Sequence, residues 1–458
     1  MVKAMRKYIL SLAVTFLFLF TIAVASSVSI RQAPETGSMS QQEGGSADEW
    51  NTSYLPIMSI DTGGERVFKE MPIWCDFQVY RPDNGLGLPE GSPVFSSLGT
   101  IKYRGNSSYS GFDKRSYRIK FYRDEHTSRN YGLFGMGADS EWVLNGPFLD
   151  RSLLRNRLMF RLSGELLPWS PETRYFELYV NGDYRGVYLA IEPITAGPSR
   201  IGLAWFSLSS GATPYIIGRD RVGTEENEFS SYGTLAGKTS FFPNIQHPGP
   251  KNLTSIQIRF IHRDLNAFEE ALYSDYFADP RIGYAKYIDV DSFVDYYLLN
   301  EFSTIKDAFQ LSTFAYKDIG GKLTMTVWDF NNGFDNYPWF ESPADRGFVC
   351  ANKNWADRLL NDRAFTDKVV ARYAELRSSL WKTSRIMALL DEDIEYLGDA
   401  IDRNFSVWGY TFSDNLLGGG DRDPKSYEDA VSKLKANIET RLDYMDRNIE
   451  SLYDLCIN

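Results

Sequence analysis

Val327-Trp328-Asp329-Phe330-Asn331-Asn332-Gly333-Phe334-Asp335 is the stretch on which the reading of the chain turns. The apolar run 323–327 reads as a strand, and it delivers an Asp, an amide two residues on, a Gly and a second Asp. A strand end holds a carboxylate rigidly, and carboxylate and amide oxygens are what a hard cation such as Mg2+ takes. Asp307, upstream, follows the apolar helical run 293–302. Two acids, one after a helix and one after a strand, fit a metal-assisted transfer site. A polar turn with Asp335 and Asn336 as ordinary turn formers accounts for the segment equally well. An EF-type calcium loop does not, because it needs an oxygen side chain where Gly333 stands and a glycine where Phe334 stands.

Working outward, the segments 100–104 and 114–122 read as strands around a polar loop, 105–113. In the second strand Tyr117, Ile119 and Phe121 alternate with Ser116, Arg118 and Lys120. The spacing of Leu153, Leu154, Leu158, Leu162 and Leu166 predicts a helix over 150–167. The runs 175–180 and 184–191 around Asn181-Gly182 predict a hairpin. Beyond it, glycines and prolines punctuate an irregular insertion or connector, 194–285. Helices are then predicted over 293–302, 354–380, 383–404 and 426–453, interrupted by a strand pair at 310–316 and 323–327. The expected fold class is α+β: a β-rich N-terminal lobe over 54–193 and a mostly helical C-terminal lobe over 286–458. That order matches the two-lobe plan of protein kinases, where the first lobe covers a nucleotide's phosphates and the second holds base and metal.

Composition bounds the partners. The 458 residues carry a formal net charge of -11. Lys3, Arg6 and Lys7 precede the apolar run 8–25, which ends in small residues. This is the anatomy of a secretory signal peptide over 1–25, with an uncleaved anchor as the rival. A Gly-, Ser- and Gln-rich flexible linker over 26–53 follows. A chain this acidic is a poor non-specific nucleic-acid binder; its charge suits a basic partner or simply solubility. Cys75, Cys350 and Cys456 show no metal-ligand spacing, though one pair could bridge. His126, His247 and His262 are isolated, which argues against a zinc hydrolase or a His-based triad, with His262 left as a lone candidate base.

The loop Arg104-Gly105-Asn106-Ser107-Ser108-Tyr109-Ser110-Gly111 offers small residues and hydroxyls, flanked by Lys114 and Arg115. It is neither a P-loop nor the kinase glycine loop, and a plain polar hairpin loop explains it too. Arg104-Gly105-Asn106-Ser107-Ser108, with Lys114 and Tyr117-Arg118-Ile119, resembles the opening motif of the spore coat protein H (CotH) kinase family. Trp142-Val143-Leu144-Asn145-Gly146-Pro147 and Asp150-Arg151-Ser152-Leu153-Leu154-Arg155-Asn156 continue the resemblance. Val180-Asn181-Gly182-Asp183-Tyr184-Arg185-Gly186-Val187-Tyr188-Leu189 through Glu192, and Asn300-Glu301 through Asp307 to Trp328-Asp329-Phe330, complete it in order over 55–335.

The resemblance implies an atypical protein-kinase-like fold that uses ATP and Mg2+ (or Mn2+) to phosphorylate serines. By position, Asp307 matches the family's first essential acid, a base or nucleophile positioner. Asp329 matches the metal-binding acid, with Asn331 as a second metal ligand. Arg104, Ser107 and Lys114 are the expected phosphate contacts, and Glu192 marks the adenine-binding connector. Arg155 and Asn156 are expected to fix their helix to the hairpins. Protein kinases keep an Asn five residues after the catalytic Asp; here that position is Ser312, which leaves a second-metal ligand unassigned. The expected activity is that of an exported ATP-dependent serine/threonine kinase acting on a basic, Ser-rich coat or surface protein. The alternatives are a catalytically silent coat or surface binding module and a metal-dependent phosphohydrolase. Contact with a membrane is expected only through an uncleaved anchor.

Overall fold

Alternation of apolar and polar residues builds the N-terminal half of the chain into strands that curl back on themselves. The computed structural model describes residues 54–81, 91–207, 211–219, 228–238, 242–338 and 341–457. The expected signal segment and linker lie outside the described residues. Strands β1 (Ile57–Asp61), β2 (Ile73–Tyr80) and β3 (Phe95–Arg104) form an antiparallel meander. A one-turn helix, α1 (Ser107–Gly111), returns the chain as β4 (Ser116–Asp124), which pairs with β3, with the short β5 (Thr127–Ser128) and with β6 (Glu141–Asn145).

Helix α2 (Arg155–Gly164) leads into the hairpin β7 (Thr173–Val180) and β8 (Asp183–Ile191). β7 runs parallel to β1, and β8 closes onto β6. The strand order is β3-β2-β1-β7-β8-β6-β4-β5 with β3 also paired to β4, so every strand but β5 joins a closed ring. Closure removes the exposed edges that an open sheet of this size would present. The alternation predicted for β4 holds: Tyr117, Ile119 and Phe121 point into the barrel, where they meet Ile101, Trp142, Leu144, Phe176 and Tyr188.

The second half is organised around a four-stranded antiparallel sheet of order β10-β9-β11-β12. β9 (Tyr215–Arg219), helix α3 (Tyr232–Leu235), β10 (Pro243–His247) and helix α4 (Ser255–Tyr273) all arise from the stretch read as irregular. Their regularity was hidden because β9 pairs with β11 (Thr313–Lys317), far along the chain, and not with a neighbour in sequence. α4 starts at a capping box in which Thr254 and Gln257 satisfy each other's backbone N–H. α5 (Val290–Phe302), capped by Asp289, precedes β11 and β12 (Thr324–Thr326).

The remaining helices are α6 (Asn354–Leu360), α7 (Arg363–Ser378), α8 (Thr383–Leu397), α9 (Ala400–Trp408) and α10 (Tyr427–Asn448). Two predicted long helices are therefore each broken in two. Asp362 caps α7 by accepting from the Ala364 N–H, and Gly398 leaves α8 at a φ of 44°, which a residue with a side chain resists.

The two halves share the β7–β8 hairpin. Phe176, Leu178, Tyr188 and Ala190 face the barrel, while Tyr175, Val187, Leu189 and Ile191 face the helical core. Burial on both faces explains why β8 reads as a nearly unbroken apolar run. Each such side chain, fully buried, contributes on the order of 1.5–3 kcal/mol. In the helical half, Glu301 at the end of α5 pairs with Arg441 of α10 with neither side chain exposed. The Glu301 carboxylate also accepts from the Val349 and Cys350 N–H groups. Cys75, Cys350 and Cys456 are free thiols, so the bridge left open by the sequence does not form. Among the described residues no helix is long and apolar enough to cross a membrane.

Candidate functional site

A cleft of about 610 Å³ opens between the barrel end and the four-stranded sheet. Its barrel wall carries Lys69, Lys102, Arg104 and Arg118. Lys102 pairs with Arg118 in the β3–β4 register and Arg104 lies two residues further on, so one face of the hairpin gathers three cations. Arg118 shares its charge with Glu141. The Arg104 guanidinium lies 4.9 Å from the centre of the Trp328 ring, tying the end of β3 to the residue before Asp329. Gly105 follows at a φ of 93°, and a Cβ there would run into Ser108 Oγ. Only glycine lets the chain turn there into α1 and bring Ser107 to the cleft.

The opposite wall carries Asp307, Asp329, Asn331 and Tyr337. The segments bearing the two acids are strained. Thr304, Phe309, Ser312, Asp329, Phe334 and Asp335 all have positive φ, more than half of such non-glycine residues among those described. Each conformation costs on the order of 1–3 kcal/mol and persists only where surrounding bonds over-determine it. Those bonds are identifiable. The Phe330 N–H donates to Asn156 Oδ1 at 2.8 Å, which fixes the Asn156 amide. Asn156 Nδ2 then donates to Asn331 Oδ1 at 2.5 Å, and Asn331 Nδ2 donates to Asp329 Oδ1. Because a backbone donor sets the first amide, the polarity of the whole relay follows. Arg155 pairs with Asp150 at 2.6 Å and donates to the Gly333 carbonyl at 2.9 Å, clamping the same turn from behind. Asp335 is held by Arg422 at 3.0 Å and serves the turn.

Tyr337 donates its hydroxyl to Asp307 Oδ2. Burial, then the Asp307 and Asp329 charges, push its phenol well up, so it stays a donor to Asp307. Ser312 lines the cleft near Asp307 in sequence, where kinases carry an amide.

Of the residues singled out from the sequence, Arg104, Ser107, Asp307, Asp329 and Asn331 line this one cleft. Lys114 and Glu192 do not. Lys114 turns into the junction of barrel and α9, where its Nζ donates to Asn404 Oδ1 at 2.6 Å between the Tyr188 and Trp408 rings. Burial pushes its ammonium well below the usual lysine range. Glu192 is buried against Arg200 at 2.7 Å and accepts from the Glu172 N–H. Burial raises its carboxyl to about 7, against the opposing pull of Arg200. The lone candidate base His262 is stacked on Phe229, away from the cleft.

Tyr337 and the amide relay through Asn156 escaped the sequence reading, since their partners are remote in the chain. Lys102 had a signal, its period-2 spacing from Arg104.

The donor set fits a hard cation. Asp307 and Asp329 line the cleft with cations facing them, and Asp150, also in the lining, is already paired with Arg155, while no group of three His, Cys, Asp or Glu forms a metal cage among the described residues. Mg2+ characteristically takes one or two carboxylates and completes its shell with water and substrate phosphates. Asn331 enters this set as the residue that orients Asp329. Its oxygen already accepts one bond from Asn156, leaving one lone pair for a metal.

A family model described as CotH kinase protein matches residues 101–445. Inner spore coat protein H of Bacillus subtilis (strain 168) is 36% identical over 120 residues. That stretch is 26% of this chain and 29% of the relative's length.

Proposed function

The chain belongs to the CotH kinase protein family, and from that premise we propose that it is an ATP- and Mg2+-dependent kinase phosphorylating serine or threonine. The observation that carries this reading is the cleft itself, with Asp307 and Asp329 on strained turns facing cations on the barrel wall. In this reading the barrel and the helical half act as the two lobes of a kinase-like fold. Mg2+, bound with the nucleotide's phosphates, would offset the charge gathering on the transferred group.

Asp329, oriented by Asn331, would hold the metal. Arg104 and Ser107 orient the phosphates from the barrel side. Asp307, held by Tyr337, positions the acceptor hydroxyl and takes its proton. The acceptor oxygen bonds to the γ-phosphorus as the bond to the β–γ bridging oxygen breaks, and ADP leaves with that electron pair. Positioning and charge stabilisation supply the catalysis, with no covalent intermediate required. The acidic chain suits a basic, Ser-rich protein substrate. The coat protein similarity and the N-terminal apolar run support an exported, coat or surface location.

Calorimetric titration of Mg2+-ATP into the full chain, followed by transfer of labelled phosphate to a basic Ser-rich protein, tests the reading. Wild type is expected to bind and transfer. Asp329→Ala should lose metal-dependent binding, whereas Asp307→Ala should keep binding and lose transfer by about 10²–10⁴-fold. Absence of nucleotide binding in wild type would instead make the protein a silent coat or surface module. Label released only as free phosphate would make it a hydrolase.

A further inference from the structure

Behind the turn that carries Asp329 lies a second cavity, of about 180 Å³. The turn walls it on one side through Phe334, the segment 417–424 on another, and α10 on a third through Ala430 and Lys433. Arg151 and Arg155 complete the lining, and Arg155 borders this cavity and not the main cleft.

The two arginines are incompletely satisfied. The Arg151 side chain is 1% exposed. It donates to Asp423 at 2.6 Å and to the Thr411 carbonyl at 2.9 Å, but its buried Nε has no partner among the described residues. The Arg155 side chain is 7% exposed. It donates through Nε to the Gly333 carbonyl and through Nη1 to Asp150 and Ser152, while Nη2 makes no hydrogen bond among the described residues. A buried donor without an acceptor is costly, so two of them on one small cavity call for a ligand that brings acceptor oxygens.

Charge limits what that ligand carries. Arg151, Arg155 and Lys433 are each paired with an acid already, Asp423, Asp150 and Asp429, and Arg422 is paired with Asp335. Asp421 adds a further acid to the lining. A dianion would therefore meet more negative charge than positive. One negative charge spread over two oxygens matches the two donors, as a carboxylate does. Phe334, Leu417 and Ala430 leave an apolar wall for a short hydrocarbon chain behind it.

We propose that this cavity is a binding site for a small aliphatic monocarboxylate, its oxygens accepting from Arg151 Nε and Arg155 Nη2 and its chain packing on Phe334, Leu417 and Ala430. The ligand is an effector of the neighbouring turn. Arg155 also holds the Gly333 carbonyl, and Phe334 and Asp335 are both at positive φ. Pinning Arg155 and packing on Phe334 stabilises the turn that positions Asp329, so Mg2+-nucleotide has less ordering left to do. Carboxylate binding stands without the phosphoryl-transfer reading; only this coupling rests on it.

Propionate titrated into the full chain, at an ionic strength held constant with chloride, tests the site by calorimetry. Wild type should saturate with a Kd on the order of 1 mM, and propionamide and inorganic phosphate should bind about tenfold more weakly or not at all. Ala430→Leu fills the cavity and leaves every charge in place, so it should lose about tenfold or more in propionate affinity. Arg104→Gln, in the main cleft, should lose none. Saturating propionate should raise Mg2+-ATP affinity about fivefold, the low end of the usual coupling range. Absence of saturable propionate binding to wild type overturns the proposal, and that measurement needs no variant to fold. Equal affinity for phosphate overturns the carboxylate assignment. Affinity unchanged in Ala430→Leu, or lost in Arg104→Gln, overturns the location. Propionate that binds without altering ATP affinity overturns the effector role, and if ATP itself does not bind, the transfer reading falls while the carboxylate site stands.

Discussion

The basic wall of the cleft is carried by strands whose neighbours are fixed by register, whereas the acidic wall is carried by turns whose shape comes from distant partners. Lys102, Arg104 and Arg118 stand together because β3 and β4 pair residue for residue. Asp329 stands where it does at a φ of 62°, a conformation that aspartate tolerates better than most residues and that Asn156, Asn331 and Arg155 hold in place. A regular strand can present a charge at little conformational cost. Holding a carboxylate at such a turn takes a strained backbone, and that strain must be offset by bonds made elsewhere.

The contrast can be broken first at the relay. Asn156→Ala removes the acceptor of the Phe330 N–H and the donor to Asn331, so Asp329 loses its orientation. Mg2+-dependent nucleotide affinity is expected to fall about 10–100-fold, the usual range for a residue behind a metal ligand. Calorimetry checks this, and undiminished affinity would mean that the turn holds Asp329 without help.

A smaller effect is expected on the basic wall. Arg104→Gln should weaken triphosphate binding by about tenfold, since Lys102 and Lys69 remain, and should make binding less sensitive to added salt. If the variant instead lost thermal stability with affinity intact, the stacking on Trp328 would be its main role.

The smallest effect on transfer, none, is expected at Glu192, which lies outside both walls. Burial raises its carboxyl to about 7, above the ordinary glutamate range, so the folded protein holds this proton more tightly than the unfolded chain. The associated stability is fully present below the unfolded value and is lost as pH rises through 7, amounting to at most about 3 kcal/mol. Denaturant unfolding between pH 5 and 8 should show this loss in wild type and a flatter profile in Glu192→Gln. A loss of transfer in that variant would return Glu192 to the site.

Much of this was legible in the chain. The period of two in β4 and the Asn181-Gly182 hairpin are local signals that appear where the residues imply, whereas the strand read over 323–327 ends at Thr326 and leaves Asp329 on the irregular turn beyond it. Lys114 was misplaced because sequence proximity to a loop does not say which way a side chain points. Two residues before β4 begins, Lys114 is drawn under Tyr188 and Trp408 by a helix some 290 positions away. The broken helices were missed for a related reason, because caps such as Asp362 look like ordinary surface acids until the backbone bends.

Sequence by itself determined the α+β order, the family motifs and the identity of both acids, since each rests on neighbours within a strand or helical turn. Only the tertiary structure decided that the N-terminal strands close into a barrel. It alone brought Arg151 and Arg155 to one cavity with Ala430, and turned Asn331 toward Asp329 rather than toward solvent. Those outcomes depend on hydrogen bonds between residues tens to hundreds of positions apart. No local propensity encodes such a pairing; it is set by which arrangement satisfies every buried donor and acceptor at once.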